Sequence, residues 1–135
     1  MSLHVDHIGY LVKRQENAGE TFKALGYCIK RPLFHDEGRK CDFSFMEKDG
    51  LVIELITPWN SESPIFPMLK HHKNMIYHIC YLSDSPEEDI KSLEEAGFSI
   101  VDPFKPAPAI SGNAEVAFMM HMEIGMIEII RKENL

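Results

Sequence analysis

Four residues carry the chemistry of this chain by type and spacing. His7 and His78 stand 71 positions apart, in DHIGYLV and YHICYLS, and Glu54 and Glu128 stand 74 apart, in VIELI and MIEII. Strand parity puts His7 on one face with Gly9 and Leu11, and His78 with Cys80 and Leu82, so each imidazole has a small neighbour that leaves it room. Glu54 shares its face with Val52 and Ile56, and Glu128 with Met126 and Ile130. An ionised carboxylate among apolar side chains is costly unless it is paired or bound to a metal, and no lysine or arginine repeats at the equivalent strand positions. A histidine or glutamate at any one of these places would read as an ordinary strand residue. Four repeating in register read as two imidazoles and two carboxylates that can converge about a pseudo-twofold axis on one divalent ion, with Zn, Ni, Co, Fe or Mn suited to that donor set.

The elements that must position these residues are duplicated. Aligning residues 6–33 with 77–104 brings Ile8 onto Ile79, Tyr10 onto Tyr81, and Gly26-Tyr27 onto Gly97-Phe98. Each glycine pair closes a segment of helical periodicity, with Ala18, Phe22 and Leu25 in the first and Ile90, Leu93 and Ala96 in the second. Ser85-Pro86-Glu87-Glu88 adds an N-cap serine, a proline at N1 and a capping-box glutamate. Each half predicts strand, helix, short strand (27–31 or 98–101), loop, strand (41–47 or 114–121), tight turn and strand (51–57 or 125–131). Asp49-Gly50 marks one hairpin, and Ile124-Gly125 sits where the other returns. The fold class expected is α+β, two βαβββ modules in tandem forming a curved mixed sheet around a metal site. A single domain over 1–135 is expected, with module one at 3–57, a connector with a short helix at 58–74, and module two at 75–131.

Composition bounds the partners. The chain has 135 residues, 44% of them hydrophobic and 26% charged, which suits one ordinary globular domain. Its 21 acidic and 14 basic residues give a formal charge of −7 with no basic cluster, so nucleic acid and membrane surfaces are not expected partners. Neither a leader-like N-terminus nor a membrane-length apolar run is seen, and the expected location is the cytoplasm. Cys28, Cys41 and Cys80 are odd in number and lack CxxC spacing, which reads as reduced thiols.

The chain resembles the vicinal oxygen chelate superfamily, the glyoxalase, bleomycin-resistance and extradiol-dioxygenase group. DHIGYLV, VIELITP, the SPI of 63–65, YHICYLSDS and GMIEII carry the resemblance over nearly the whole length. Their order is most similar to that of the methylmalonyl-CoA epimerases, and the His, Glu, His, Glu set is also similar to that of the lactoylglutathione lyases (glyoxalase I). The resemblance implies metal ligands His7, Glu54, His78 and Glu128, a divalent metal cofactor such as Zn, Ni, Co or Mn, and proton abstraction beside a carbonyl through an enediolate or enolate. For glyoxalase I it implies Glu128 as base, once that carboxylate leaves the metal on substrate binding, and in both cases a small carbonyl substrate carried as a thioester or thiol adduct. Epimerases place a second carboxylate on the strand before the ELxxP strand. Cys41 falls at that position here, beside Asp42, so Asp42 or Glu47 is the candidate second base if a local shift brings it round. The arginine expected to bind glutathione in a lyase has no evident counterpart, Lys13 and Arg14 coming just after the first strand.

An epimerase-like enzyme is the first expectation, a lyase acting on a methylglyoxal-thiol hemithioacetal the second, and a non-catalytic small-molecule binding protein the third. Glu54 would obstruct an extradiol dioxygenase's facial triad. A homodimer is expected by fold analogy. His121, at a strand end, is a candidate substrate or supporting contact, and Lys105 lies in a proline-rich loop that could meet a phosphate. His71-His72 read as a solvated helix end, and His4 and His35 as surface residues.

Overall fold

The computed structural model describes residues 2–71 and 74–132. Its elements in chain order are β1 (Leu3–Leu11), α1 (Gln15–Ala24), β2 (Cys28–Asp36), β3 (Cys41–Lys48), β4 (Leu51–Pro58), α2 (Phe66–His71), β5 (Met75–Ser83), α3 (Pro86–Glu95), β6 (Ser99–Pro106), β7 (Ala114–His121) and β8 (Gly125–Lys132). Strands run in the order β2-β3-β4-β1 in one half and β5-β8-β7-β6 in the other, each with parallel and antiparallel pairs, so the α+β class and the doubled βαβββ pattern hold. The chain divides into two compact units, a first of His7–Tyr77 and a second of the residues to Asp6 together with those from His78 onward.

In the first unit β1 runs parallel to β4, with Gly9 beside Glu54, and β3 pairs antiparallel with β4 without interruption from Cys41 to Lys48. Alternation sends Ile53, Leu55 and Met46 to the helix side, where with Val12 they form a core under Ala18 and Phe22 of α1. Tyr10, Phe22 and Tyr27 close it with edge-on ring contacts. The second unit repeats the plan. β5 runs parallel to β8, with Cys80 beside Glu128, and Ile127, Ile129 and Met119 pack under Ile90 and Leu93 of α3.

Several expectations change in detail. The short third elements are full strands, β2 of 9 residues and β6 of 8, each bent by register shifts, with Pro32 in the first and Pro103 and Pro106 in the second. Both are edge strands, where a missing backbone N–H leaves no ladder bond unmade. Lys105 therefore sits in β6 and not in a loop, bound to Asp102 at 2.8 Å. Leu25 and Ala96 are helix C-caps exposed to solvent and do not belong to the apolar faces. Gly26 and Gly97, at φ 97° and 104°, end the two helices as anticipated. Ser85 and Pro86 stand at the N-cap and N1 of α3, but Ser85 makes no side-chain cap and the capping box is not formed. The polar anchor of that turn is Asp89, whose carboxylate accepts from Ser83 Oγ at 2.6 Å and Ser2 Oγ at 2.7 Å. Among the described residues no helix is long and apolar enough to cross a membrane.

Candidate metal centre

Each unit buries one histidine–glutamate pair on the sheet face away from its helix. In the first unit His7 Nε2 lies 3.4 Å from Glu54 Oε1, with only 1% and 4% of the two residues exposed. In the second, His78 Nε2 lies 3.2 Å from Glu128 Oε1, with 3% and 5% exposed. Parallel pairing sets both distances, because the small residue two places after each histidine lies level with the glutamate of the adjacent strand. Gly9 and Cys80 thus leave the carboxylates space to turn toward the imidazoles.

The pairs fit a metal on their own geometry. Two cis ligands held at about 2.1 Å from one ion are about 3.0–3.4 Å apart, which is the separation within each pair. Imidazole nitrogen and carboxylate oxygen are the donors that zinc, nickel, cobalt and manganese accept. Burial adds a physical reason, since a carboxylate in such surroundings needs a compensating positive charge.

Two residues at this face were not singled out in the sequence. Phe45 stands opposite Glu54 and meets the His7 ring edge-on, with centroids 5.5 Å apart and planes at 89°. Phe118 stands opposite Glu128 and meets His78 in the same way, at 5.4 Å and 80°. These contacts fix each ring's plane and keep apolar bulk beside the donor nitrogen. Their signal was present as a further repeat, 73 positions apart, in strands already aligned.

Asp42 does not join His7 and Glu54. It shares the helix-side parity of Ser44, and the unbroken β3–β4 register leaves no local shift to bring it round. Its carboxylate instead pairs with His35 Nδ1 and accepts from Trp59 Nε1 at 2.7 Å. Glu47 pairs with Lys30 at 3.3 Å, both half-exposed. Cys41 does face the same side as Glu54, and its thiol lies 3.0 Å from Ser63 Oγ, which docks the SPI segment onto β3. Burial is the main cause that pushes this thiol up to about 11, so it is neutral at physiological pH.

The remaining histidines lie elsewhere. His121 donates from Nε2 to Ala96 O at 3.1 Å and accepts from Glu123 N at Nδ1, capping the end of α3. It is therefore a helix-terminal contact within the second unit. His4 is exposed and paired with Asp84, and His35 is exposed beside Asp42. His71 closes α2, and His72 lies outside the described residues.

The sequence profile of the glyoxalase/bleomycin resistance protein/dioxygenase superfamily matches residues 6–118, which include three of the four paired residues and the strand leading to the fourth. The chain belongs to this superfamily. It is similar to an uncharacterized protein, YqjC, of Bacillus subtilis (strain 168), at 24% identity over 122 residues, covering 88% of this chain and 84% of that one. Among solved superfamily-like folds it is similar to hypothetical protein BH1468 of Bacillus halodurans C-125, with a TM-score of 0.85 and 24% identity over 100% of this chain and 98% of that one. A Streptomyces coelicolor methylmalonyl-CoA epimerase in complex with 2-nitronate-propionyl-CoA gives 0.79 and 14%, covering 96% and 97% of the two chains. The epimerase of Mycobacterium tuberculosis gives 0.79 and 18%, covering 96% and 88%.

Proposed function

We propose that this protein is a metal-dependent enzyme that moves a proton on the carbon next to a thioester carbonyl, as a methylmalonyl-CoA epimerase does. The observation that carries the reading is the repeat of a buried histidine–glutamate pair in the two units. In this reading His7, Glu54, His78 and Glu128 together hold one divalent ion. When bound, such an ion supplies the positive charge that stabilises a carbonyl oxygen as the neighbouring carbon loses its proton.

Glu128 would be the base in this scheme, its carboxylate released from the ion when substrate binds. Its carboxylate is buried against His78, and a general base must lie within hydrogen-bond reach of the proton it takes. His78 orients it, and Phe118 fixes the His78 ring. Glu54 and His7 serve the same ion from the first unit. Asp42 has no part, given its place on the opposite face of β3.

One observation favours a second reading. Where the epimerases are expected to carry a second carboxylate, Cys41 presents a thiol that stays protonated at neutral pH. A reaction that needs a single base to shuttle one proton, as on the hemithioacetal of methylglyoxal and a thiol, makes no demand on that position.

Deuterium exchange separates the two. Incubated with the metal-loaded protein in D₂O, methylmalonyl-CoA should take up solvent deuterium at its α-carbon. If it does not, while the glutathione hemithioacetal of methylglyoxal turns over, the second reading replaces the first. Metal content below about a tenth of an equivalent, after purification without chelator, would remove both.

A further inference from the structure

The edge strand of the first unit brings a cation to the histidine–glutamate face. The register of β2 on β3 passes from Ile29 opposite Met46 to Arg31 opposite Phe45, so Lys30 is an extra residue in the ladder. A bulge of this kind bends its strand and re-aims the side chain that follows. Lys30 reaches along the strand to Glu47 at 3.3 Å, whereas the Arg31 guanidinium carbon lies 5.4 Å from the centroid of Phe45. Phe45 is the ring that abuts His7. Arg31 is half-buried, and Pro32 after it restricts its backbone to extended conformations. A planar guanidinium resting on an aromatic face has little rotamer freedom left to lose on binding, and its donor fork matches a carboxylate.

The second unit departs from the first at this point. Its edge strand carries the same register shift, but the residue opposite Phe118 is Asp102, paired with Lys105 at 2.8 Å. The repeat keeps the ring beside the histidine and reverses the charge above it.

We infer that Arg31 binds an anionic group of the substrate and thereby selects acyl thioesters that carry a carboxylate on the acyl part. This rests on the thioester reading above and adds to it a residue that sets specificity. Phe45 holds the guanidinium, and the apolar ring keeps water from its underside, so the ion pair forms in partly desolvated surroundings.

Binding of two thioesters to the full-length, metal-loaded protein tests it by calorimetry. The wild type should bind methylmalonyl-CoA about 10- to 100-fold more tightly than propionyl-CoA, which lacks the carboxylate, as a charge-assisted hydrogen-bonded pair supplies. Arg31→Met, which keeps an apolar stem over Phe45, should bring the two affinities within about 3-fold while leaving that for propionyl-CoA unchanged. Arg31→Lys, which keeps the charge without the fork, should restore part of the preference. A preference retained in full by Arg31→Met overturns the inference and leaves the exchange reading standing. Equal wild-type affinities do the same. Binding of neither thioester by the wild type overturns both.

Discussion

The two units share a backbone plan and differ in what lies behind it. On the sheet face both present the same set, a histidine, a glutamate and an edge-on phenylalanine, within 0.2 Å in the separation of the paired nitrogen and oxygen, 3.4 Å against 3.2 Å. On the helix face the first unit packs Val12 with Ala18, and the second places Ser83 and Asp89 at the matching positions. The helix ends differ as well: Lys48 donates to Leu25 O at 2.6 Å in the first, and His121 to Ala96 O in the second. Packing tolerates several solutions, an apolar contact or a satisfied polar one. A set of ligands to one ion would tolerate few, and the repeat is strictest at the four residues proposed to hold one.

The largest effects should come from breaking that strict part. Glu128→Ala is expected to lower α-deuterium exchange by about 10²- to 10⁴-fold, the range of a lost general base. His78→Ala should lower metal occupancy measured by plasma emission. If the units act as equals toward one ion, His7→Ala should lower it to a similar degree. Unchanged occupancy in either variant removes that histidine from the set.

The sheet face was legible in the sequence because its demands are discrete. Parity along a strand and a fixed offset between copies were enough to pair His7 with Glu54 and His78 with Glu128. Phe45 and Phe118 escaped notice because an aromatic residue in a strand has an ordinary packing explanation, and only its contact with the imidazole distinguishes it. Asp42 was misplaced for a different reason. With Cys41 at the expected base position, Asp42 on the other face of the strand needed a local shift to come round, and the unbroken register of β3 on β4 supplies none. The second edge strand was cut short where the prolines around Lys105 read as a loop, although an edge leaves proline without a penalty. The bulge that aims Arg31 has no local signature at all, since it depends on which residues of β3 lie opposite.

Smaller effects should come from the helix faces. Burial acts to raise the pKa of Asp89, but hydrogen bonds from the Ser83 and Ser2 hydroxyls and the Ser2 amide outweigh it and hold the carboxyl below the usual aspartate value. A group lowered in the folded state stabilises it above the unfolded value of about 3.9 and loses that contribution as pH falls through the folded one. Asp89→Ala should therefore cost about 1–3 kcal/mol in urea unfolding near neutral pH, chiefly by leaving hydroxyls unpaired. The difference from wild type should shrink as pH falls below the unfolded value and through the lower folded one. Ala18→Asp, the reciprocal change, should be at least as costly, because Val12 offers no hydroxyl where the second unit has Ser83.

The finest distinction lies at the helix ends. Gly26→Ala and Gly97→Ala both force an L side chain to positive φ, costing about 1–2 kcal/mol each. Their surroundings are not equal. A Cβ at Gly26 would come within 3.0 Å of Lys48 Nζ, which donates to Leu25 O but ends a flexible chain that can shift by a few tenths of an ångström and keep that bond. A Cβ at Gly97 would come within 2.9 Å of His121 Nε2, on a ring held by Ala96 O and Glu123 N and packed 4.8 Å from the Phe98 ring. Displacing that ring gives up a hydrogen bond, so Gly97→Ala should exceed Gly26→Ala by about 0.5–1.5 kcal/mol in thermal or urea unfolding. In a His121→Ala background the excess should vanish, as a double-mutant cycle would register. An excess that survives there would mean that the two helix ends differ in backbone strain and not in the side chain that caps them.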